Sequence, residues 1–404
     1  MSQALTGGCA TGSSSTGTDI RRLPYPVYLW TVFALGLAGL ALSAYLAVSH
    51  FRVHTDIVYQ SFCAISKAIN CDTVSQSEYS VFAGLPVSVW GVFGYGAFLM
   101  LAAVAAATSS APRGWALLLL TSLSFSIVSV VFAGVSTLNI GSYCILCIAT
   151  YAVNFTLLFL TWMTRRRFPS GGLRTGLRRD FDFLRSQRAL CVPALFGFAL
   201  VCAATWLFYP PYWEFRAPRA ATPVPSGVTA EGHAWIGAEQ PVLEITEFTD
   251  YQCFQCRKMH LYLRELVARY PARIRLVHRN YPMDHEFNPI VKEPFHSGSG
   301  RMALLAIHGA ASGAFWELND RLFERAGGGG RIRLEELSVE TGIDQRLLSA
   351  ALSHEPYRAH LLRDIREGMK LGIVGTPSYL IGGKVYEGGI PPEVLQPVIG
   401  GAEK

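Results

Sequence analysis

Charge is what this chain is short of. Only 16% of its 404 residues are Asp, Glu, Lys or Arg, against 50% hydrophobic, and the mean hydropathy is +0.28. So lean a balance excludes a wholly soluble protein and requires a membrane portion. The shortage is uneven: residues 24 to 210 hold the long apolar runs, while residues 211 to 404 read as an ordinary soluble mix. Where positive charge does gather, in the eight arginines from Arg165 to Arg188, no aromatic platform is interleaved with it. That absence argues against a nucleic-acid partner. Residues 1 to 23 lack apolar runs and are rich in Ser, Thr and Gly, as expected of a disordered cytoplasmic tail. The first apolar run lacks a small-residue cleavage site and reads as a retained anchor.

Five spans are expected: Val27 to Val48, Leu85 to Ala106, Trp115 to Leu138, Tyr143 to Met163 and Ala189 to Phe208. Each is long enough for a hydrocarbon core of about 30 Å. Arg21 and Arg22, Arg113 and the eight-arginine segment fall on one face, which is therefore expected to be cytoplasmic. Five crossings then leave the C-terminal part outside. The domain plan is tail 1–23, core spans 24–164, basic loop and fifth span 165–210, linker 211–232, and a soluble domain 233–404.

In the soluble part, Val242 to Thr249 and Arg273 to Tyr281 read as strands around a helix from Cys256 to Tyr270. Helical segments follow from Arg301 to Leu371, interrupted by Gly327–Gly330. A hairpin turning on Gly382-Gly383 and a last helix near Pro391 complete an α/β plan.

Six of the nine cysteines form three close pairs: Cys63 with Cys71, Cys144 with Cys147, and Cys253 with Cys256. The topology puts all three on the outer, oxidising side, where disulfides persist. Cys9, Cys191 and Cys202 read as small buried or unpaired residues. Cys253-Phe254-Gln255-Cys256 follows a strand and opens a helix, whose N-terminus favours a thiolate on the first cysteine. A zinc half-site would need a second ligand pair, and His278, His285 and His296 are not at ligand spacing.

This C-terminal part resembles the DsbA-like branch of the thioredoxin superfamily. The resemblance implies that Gly375-Thr376-Pro377 is the loop whose cis-proline faces the redox pair. It also implies that Glu247 is a buried acid tuning the resolving thiol. The stretch from Cys63 to Tyr95, with "YCILCIATY" after it, resembles the vitamin K epoxide reductase family. The implied fold is a four-helix membrane bundle with a fifth linking helix, followed by a thioredoxin-like domain with a helical insertion. By the same resemblance Cys63 and Cys71 are a relay pair, and Cys144 and Cys147 the quinone-proximal pair. Ser77 and Tyr151 are the implied quinone neighbours.

The expected activity is quinone-dependent thiol–disulfide oxidation. Electrons run from dithiols of exported proteins through Cys253–Cys256, Cys63–Cys71 and Cys144–Cys147 to ubiquinone or menaquinone, with no metal. The expected setting is a bacterial inner membrane, with the N-terminus cytoplasmic and the soluble domain periplasmic. Two alternatives stay open. One is an isomerase or reductase running electrons outward; the other is a membrane-anchored metal-binding chaperone, against which the lack of Met/His clusters weighs.

Overall fold

The computed structural model describes residues 23–57, 59–66, 68–106, 113–168, 171–214, 224–326 and 332–399. The tail with Cys9, Arg21 and Arg22, the start of the Pro-rich linker and the Gly327–Gly330 run lie outside the described residues.

Helix α1 (Tyr25–Thr55) has Pro24 at its N-cap and Pro26 in its first turn, where a fixed φ suits the helix. After it come the short α2 (Cys71–Gln76), a small hairpin of β1 (Val81–Phe82) and β2 (Leu85–Pro86), and α3 (Val87–Ala106). Helix α4 (Trp115–Val135) runs on through a π-helical turn to Ile140 and is followed by α5 (Ile145–Arg167). Then come α6 (Leu173–Ser186) and α7 (Arg188–Phe208). Five of these, with α4 counted through Ile140, are apolar and 20 to 31 residues long. That is the length a bilayer core needs.

Helix α1 packs against α3 and α5, and α4 packs against α5. Close approach comes from small residues: a Cβ at Gly39 would fall 2.2 Å from the Tyr95 ring. Inside the bundle, the Tyr95 hydroxyl donates to Asn154 Oδ1 at 2.5 Å, and Asn154 Nδ2 donates to Ser129 Oγ at 2.9 Å. Such interhelical bonds each contribute about 0.6 kcal/mol. Helix α7 buries none of its residues. It lies outside the bundle, held by Phe198 against Gly96 and by the Trp206 indole N–H on Ala83 O at 2.8 Å.

Two elements of the membrane part differ from expectation. The first span was expected to end at Val48, but α1 continues to Thr55. Ser49 to Thr55 are less apolar yet contain no Gly or Pro, and the side chains close the turn. Thr55 Oγ1 donates to Phe51 O at 2.8 Å and Arg52 pairs with Asp56 at 3.1 Å. Those seven residues extend the helix by roughly 10 Å. The arginine-rich segment, expected as a loop, contains α6. Its buried Asp180 accepts from the backbone N–H groups of Gly114 at 2.7 Å, Ala116 at 2.9 Å and Leu117 at 3.2 Å. It therefore caps α4 from another helix.

In the soluble part, six strands form one sheet in the order β3 (Ser226–Val228), β4 (Ala234–Gly237), β6 (Ile274–Asn280), β5 (Leu243–Thr249), β7 (Ser378–Ile381) and β8 (Lys384–Glu387). Only β5 and β6 run parallel; every other pairing is antiparallel. The strand β3 is a second departure from the domain plan, because a stretch expected to be linker to Gly232 forms a sheet edge. Its residues alternate too briefly to announce a strand. Helix α8 (Phe254–Arg269) connects β5 to β6. Five helices follow, α9 (Ser299–Ser312), α10 (Phe315–Ala326), α11 (Leu334–Thr341), α12 (Gln345–Ala351) and α13 (Glu355–Lys370), with α14 (Pro392–Ile399) last. One core lies between sheet and α8, around Ile245, Met259, Leu263, Leu276 and Tyr379.

Replacing Asp180 by Ala leaves the N–H groups at the start of α4 without their acceptor. A destabilisation of about 1–2 kcal/mol is expected, read as a lower thermal midpoint of the detergent-purified protein. An unchanged midpoint contradicts the capping role.

Candidate redox site

Strand β5 ends at Thr249, and the chain turns on Asp250 before α8 begins. Asp250 is buried and accepts from Gln252 N at 2.7 Å, Met283 N at 2.6 Å and Ser299 Oγ at 2.9 Å. The turn so fixed sets Cys253 at the N-cap of α8, where its Sγ accepts from Cys256 N at 3.1 Å. Facing it, the Thr376–Pro377 bond is cis, and Cys253 Sγ donates to Thr376 O at 3.5 Å. The Thr376–Pro377 loop thus lies against the Cys253 sulfur.

The two thiols differ. Burial pushes the Cys253 pKa up. The thiol and amide of Cys256, with the His296 imidazole, outweigh that and hold it below the ordinary thiol value. Burial pushes Cys256 well above that value, and the neighbouring Cys253 adds to it. The pair is therefore asymmetric, with Cys253 the more readily ionised thiol. His296 was set aside in the sequence for want of ligand spacing. Its Nδ1 lies 3.1 Å from Asp250 Oδ2. Although burial disfavours its charged form, Asp250 raises its pKa.

Glu247 is buried under α8, as expected, but it is not alone. Its Oε1 accepts from His260 Nδ1 at 2.9 Å and His278 Nδ1 at 2.8 Å. Burial would raise the carboxyl; the two imidazoles prevail and hold it at about 2. Linear spacing hid this trio, because one histidine arrives from α8 and the other from β6, in register with Glu247.

In the membrane part, Cys144 repeats the arrangement of Cys253. It is the N-cap of α5, and its Sγ accepts from Cys147 N at 3.2 Å. Cys63 and Cys71 form a disulfide. Cys63, Cys71 and Cys144 make one buried cluster, with Leu46, Val74, Leu146 and Cys147 packed on it. The backbone joins the two pairs. Asn70 N donates to Tyr143 O at 3.0 Å and Tyr143 N donates to Ala68 O at 2.8 Å. The residues immediately before Cys71 and Cys144 are thereby held side by side. Asn70 also caps α2 through Oδ1, accepting from Asp72 N at 2.9 Å and Thr73 N at 3.1 Å.

Tyr151 lies one turn beyond Cys147 on α5 and is half-buried. Ser77 ends α2, and its Oγ donates to Val74 O at 2.7 Å. Ser77 also borders a cavity of about 590 Å³ shared with His54, Ser80, Trp213 and Arg257.

The α1 extension meets the soluble domain at the redox dipeptide. Phe254 packs edge-on against His54 with ring centres 5.1 Å apart, and Gln255 Nε2 donates to Ile57 O at 3.2 Å. Lys258 Nζ donates to Val53 O at 3.0 Å and Asp56 O at 2.9 Å, at the negative end of the α1 dipole.

Residues 30–162 match the family model described as vitamin K epoxide reductase family, and residues 229–400 match one described as thioredoxin. The mouse protein "Vitamin K epoxide reductase complex subunit 1" is 34% identical over 146 residues, covering 32% of this chain and 85% of that protein. The chain belongs to the vitamin K epoxide reductase family. The rat protein of the same name gives the same identity and coverage. Among solved structures, a thioredoxin-like oxidoreductase from Silicibacter pomeroyi DSS-3 is 24% identical. The match covers 43% of this chain and 92% of that one, with a TM-score of 0.34. Pseudomonas aeruginosa DsbA2 is 23% identical over 42% of this chain and 92% of its own, with a TM-score of 0.33. The chain joins a vitamin K epoxide reductase family membrane domain to a thioredoxin-fold domain, and with its paired cysteines it is a thiol–disulfide oxidoreductase.

The asymmetry of the soluble pair has a pH signature. In the reduced protein, carbamidomethylation of Cys253 should rise with a midpoint below the ordinary thiol value, while Cys256 stays unmodified. Peptide mass mapping across pH reads both. Equal labelling of the two thiols, or a Cys253 midpoint at the ordinary value, contradicts the assignment.

Proposed function

We propose that this protein oxidises dithiols of exported proteins and delivers the electrons to a quinone in the membrane. What carries the reading is the buried cluster in which the Cys63–Cys71 disulfide packs against Cys144. Disulfide exchange needs sulfur to meet sulfur, and a cluster of this kind has no use in a purely structural disulfide.

A substrate thiolate attacks Cys253 of the oxidised Cys253–Cys256 pair and releases Cys256. The second substrate thiolate then attacks the substrate sulfur of the mixed disulfide, closes the substrate disulfide and releases Cys253 as a thiolate. With the soluble pair reduced, Cys253 attacks Cys63, which releases the Cys71 thiolate; Cys256 then attacks Cys253 and frees Cys63. In the next exchange Cys71 attacks Cys144 of an oxidised Cys144–Cys147 pair and releases Cys147. Cys63 resolves that link. Each exchange moves two electrons and forms one disulfide for each one broken. Overall, a substrate dithiol and a quinone yield a substrate disulfide and a quinol.

Quinone enters as the second substrate. Cys147 is half-buried between the exposed Ile145 and Ile148, which suits a lipid-dissolved reactant. Tyr151 offers a hydroxyl, one turn away on α5, to a quinone carbonyl. Ser77, at the end of the segment whose Val74 packs on the cluster, is the second polar group proposed for it. The arginine-bearing ends of the spans lie in the cytoplasm in this account, and the soluble domain in the periplasm. Docking of Phe254, Gln255 and Lys258 on the α1 extension supports electron flow inward, since it presents the redox dipeptide to the membrane part.

In the full-length protein, Cys147→Ala should lower quinone reduction at least a hundredfold. Exchange of Cys253–Cys256 with a dithiol peptide should be unaffected. Quinol formation at the wild-type rate in that variant removes the proposed terminal step.

A further inference from the structure

Among the described residues, two groups of three metal-capable side chains gather apart from the cysteine pairs, each with its ligand atoms within 4.8 Å of one another. One is Glu247, His260 and His278; the other is His233, His360 and Asp364. Hydrogen bonding separates them. In the first, Glu247 Oε1 already accepts from both Nδ1 atoms. The remaining ring nitrogens face Asn319 at 2.9 Å, Tyr251 at 3.3 Å and Asn280 at 3.4 Å. That group is closed.

The second is not. Asp364 is fully buried, and its Oδ1 lies 2.7 Å from His233 Nε2. Its Oδ2 is buried with no hydrogen-bond partner among the described residues and lies 3.6 Å from His360 Nε2. A buried carboxylate oxygen left without a partner is an exception in native structures. Asp364 and His360 are one turn apart on α13 and share a face. His233 comes from the turn between β3 and β4, with its Nδ1 3.5 Å from Thr229 Oγ1. Such a partner on the far nitrogen leaves Nε2 to face the group, as outer partners do for ligating histidines.

The spacing also fits. Ligands about 2.0–2.1 Å from a tetrahedral zinc stand roughly 3.3–3.5 Å apart, a value the 2.7 Å and 3.6 Å separations bracket. His360 keeps its side chain 16% exposed, which leaves water a way to a fourth position. The nearby cations are engaged elsewhere: Arg363 Nη2 donates to Glu231 O at 2.9 Å and Arg279 pairs with Glu367 at 2.5 Å.

We propose that His233, His360 and Asp364 bind one divalent transition-metal ion of the zinc type. The ion joins the β3–β4 turn to α13, the helix whose exit leads to the Thr376–Pro377 loop. The sequence had led us to expect no metal, because its reading weighed ligands only around the cysteine pairs.

The test uses the full-length protein in detergent, purified without a histidine tag, stripped with chelator and held with its cysteine pairs oxidised so that thiolates do not bind. Titration with zinc chloride, followed by desalting and elemental analysis, should give one zinc per chain and a raised thermal midpoint. His360→Ala, at a partly exposed position, should weaken binding at least tenfold and abolish the thermal shift, with Cys253 exchange unchanged. Asp364→Asn should do the same where it folds. No zinc retained by the wild type, or one zinc per chain retained with undiminished affinity by His360→Ala, overturns the proposal.

Discussion

A backbone N–H at the start of a helix, donating to the sulfur of a cysteine three residues back, occurs twice among the described residues. Cys256 N donates to Cys253 Sγ and Cys147 N to Cys144 Sγ. In both places the motif makes a cysteine the helix cap and directs helix-end N–H groups at its sulfur. In the proposed electron path, the other groups bring these two caps into communication. In the membrane part this is done by backbone pairing between Asn70 and Tyr143, one residue ahead of Cys71 and Cys144. A side-chain contact could drift; two strand-like hydrogen bonds hold register.

The link between the two parts of the protein is a helix that overruns. The last turns of α1 offer carbonyl groups that the helix itself does not use, and Lys258 takes two of them. Phe254 and Gln255, the residues between the soluble cysteines, make the neighbouring contacts. The dipeptide between the soluble cysteines is thus also a contact surface for the end of α1.

Much of this was legible in the sequence. Long apolar runs gave five membrane-length helices, and cysteine spacing marked three pairs, two of them, Cys144–Cys147 and Cys253–Cys256, at helix starts. Pro377 and the buried state of Glu247 followed from resemblance. What stayed hidden depends on contacts between distant segments. His260 and His278 converge on Glu247 only because β6 pairs in register with β5. Asp180 reads as one acid among arginines until it is seen capping α4. The overrun of α1 to Thr55 was missed because apolarity, the signal used to end the span, says nothing about where a helix stops once it leaves lipid. Strand β3 is three residues long, too short for any periodicity.

The central claim is that the soluble pair passes electrons to the loop pair within one chain, and trapping the intermediate tests it most directly. Without Cys256 the link between Cys253 and its acceptor has no resolving thiol. In the full-length Cys256→Ser protein, mildly oxidised at low concentration and digested without reduction, the account predicts a Cys253–Cys63 cross-linked peptide from within a single chain. A Cys253 joined only to another molecule, or found free while Cys63–Cys71 stays intact, would contradict it.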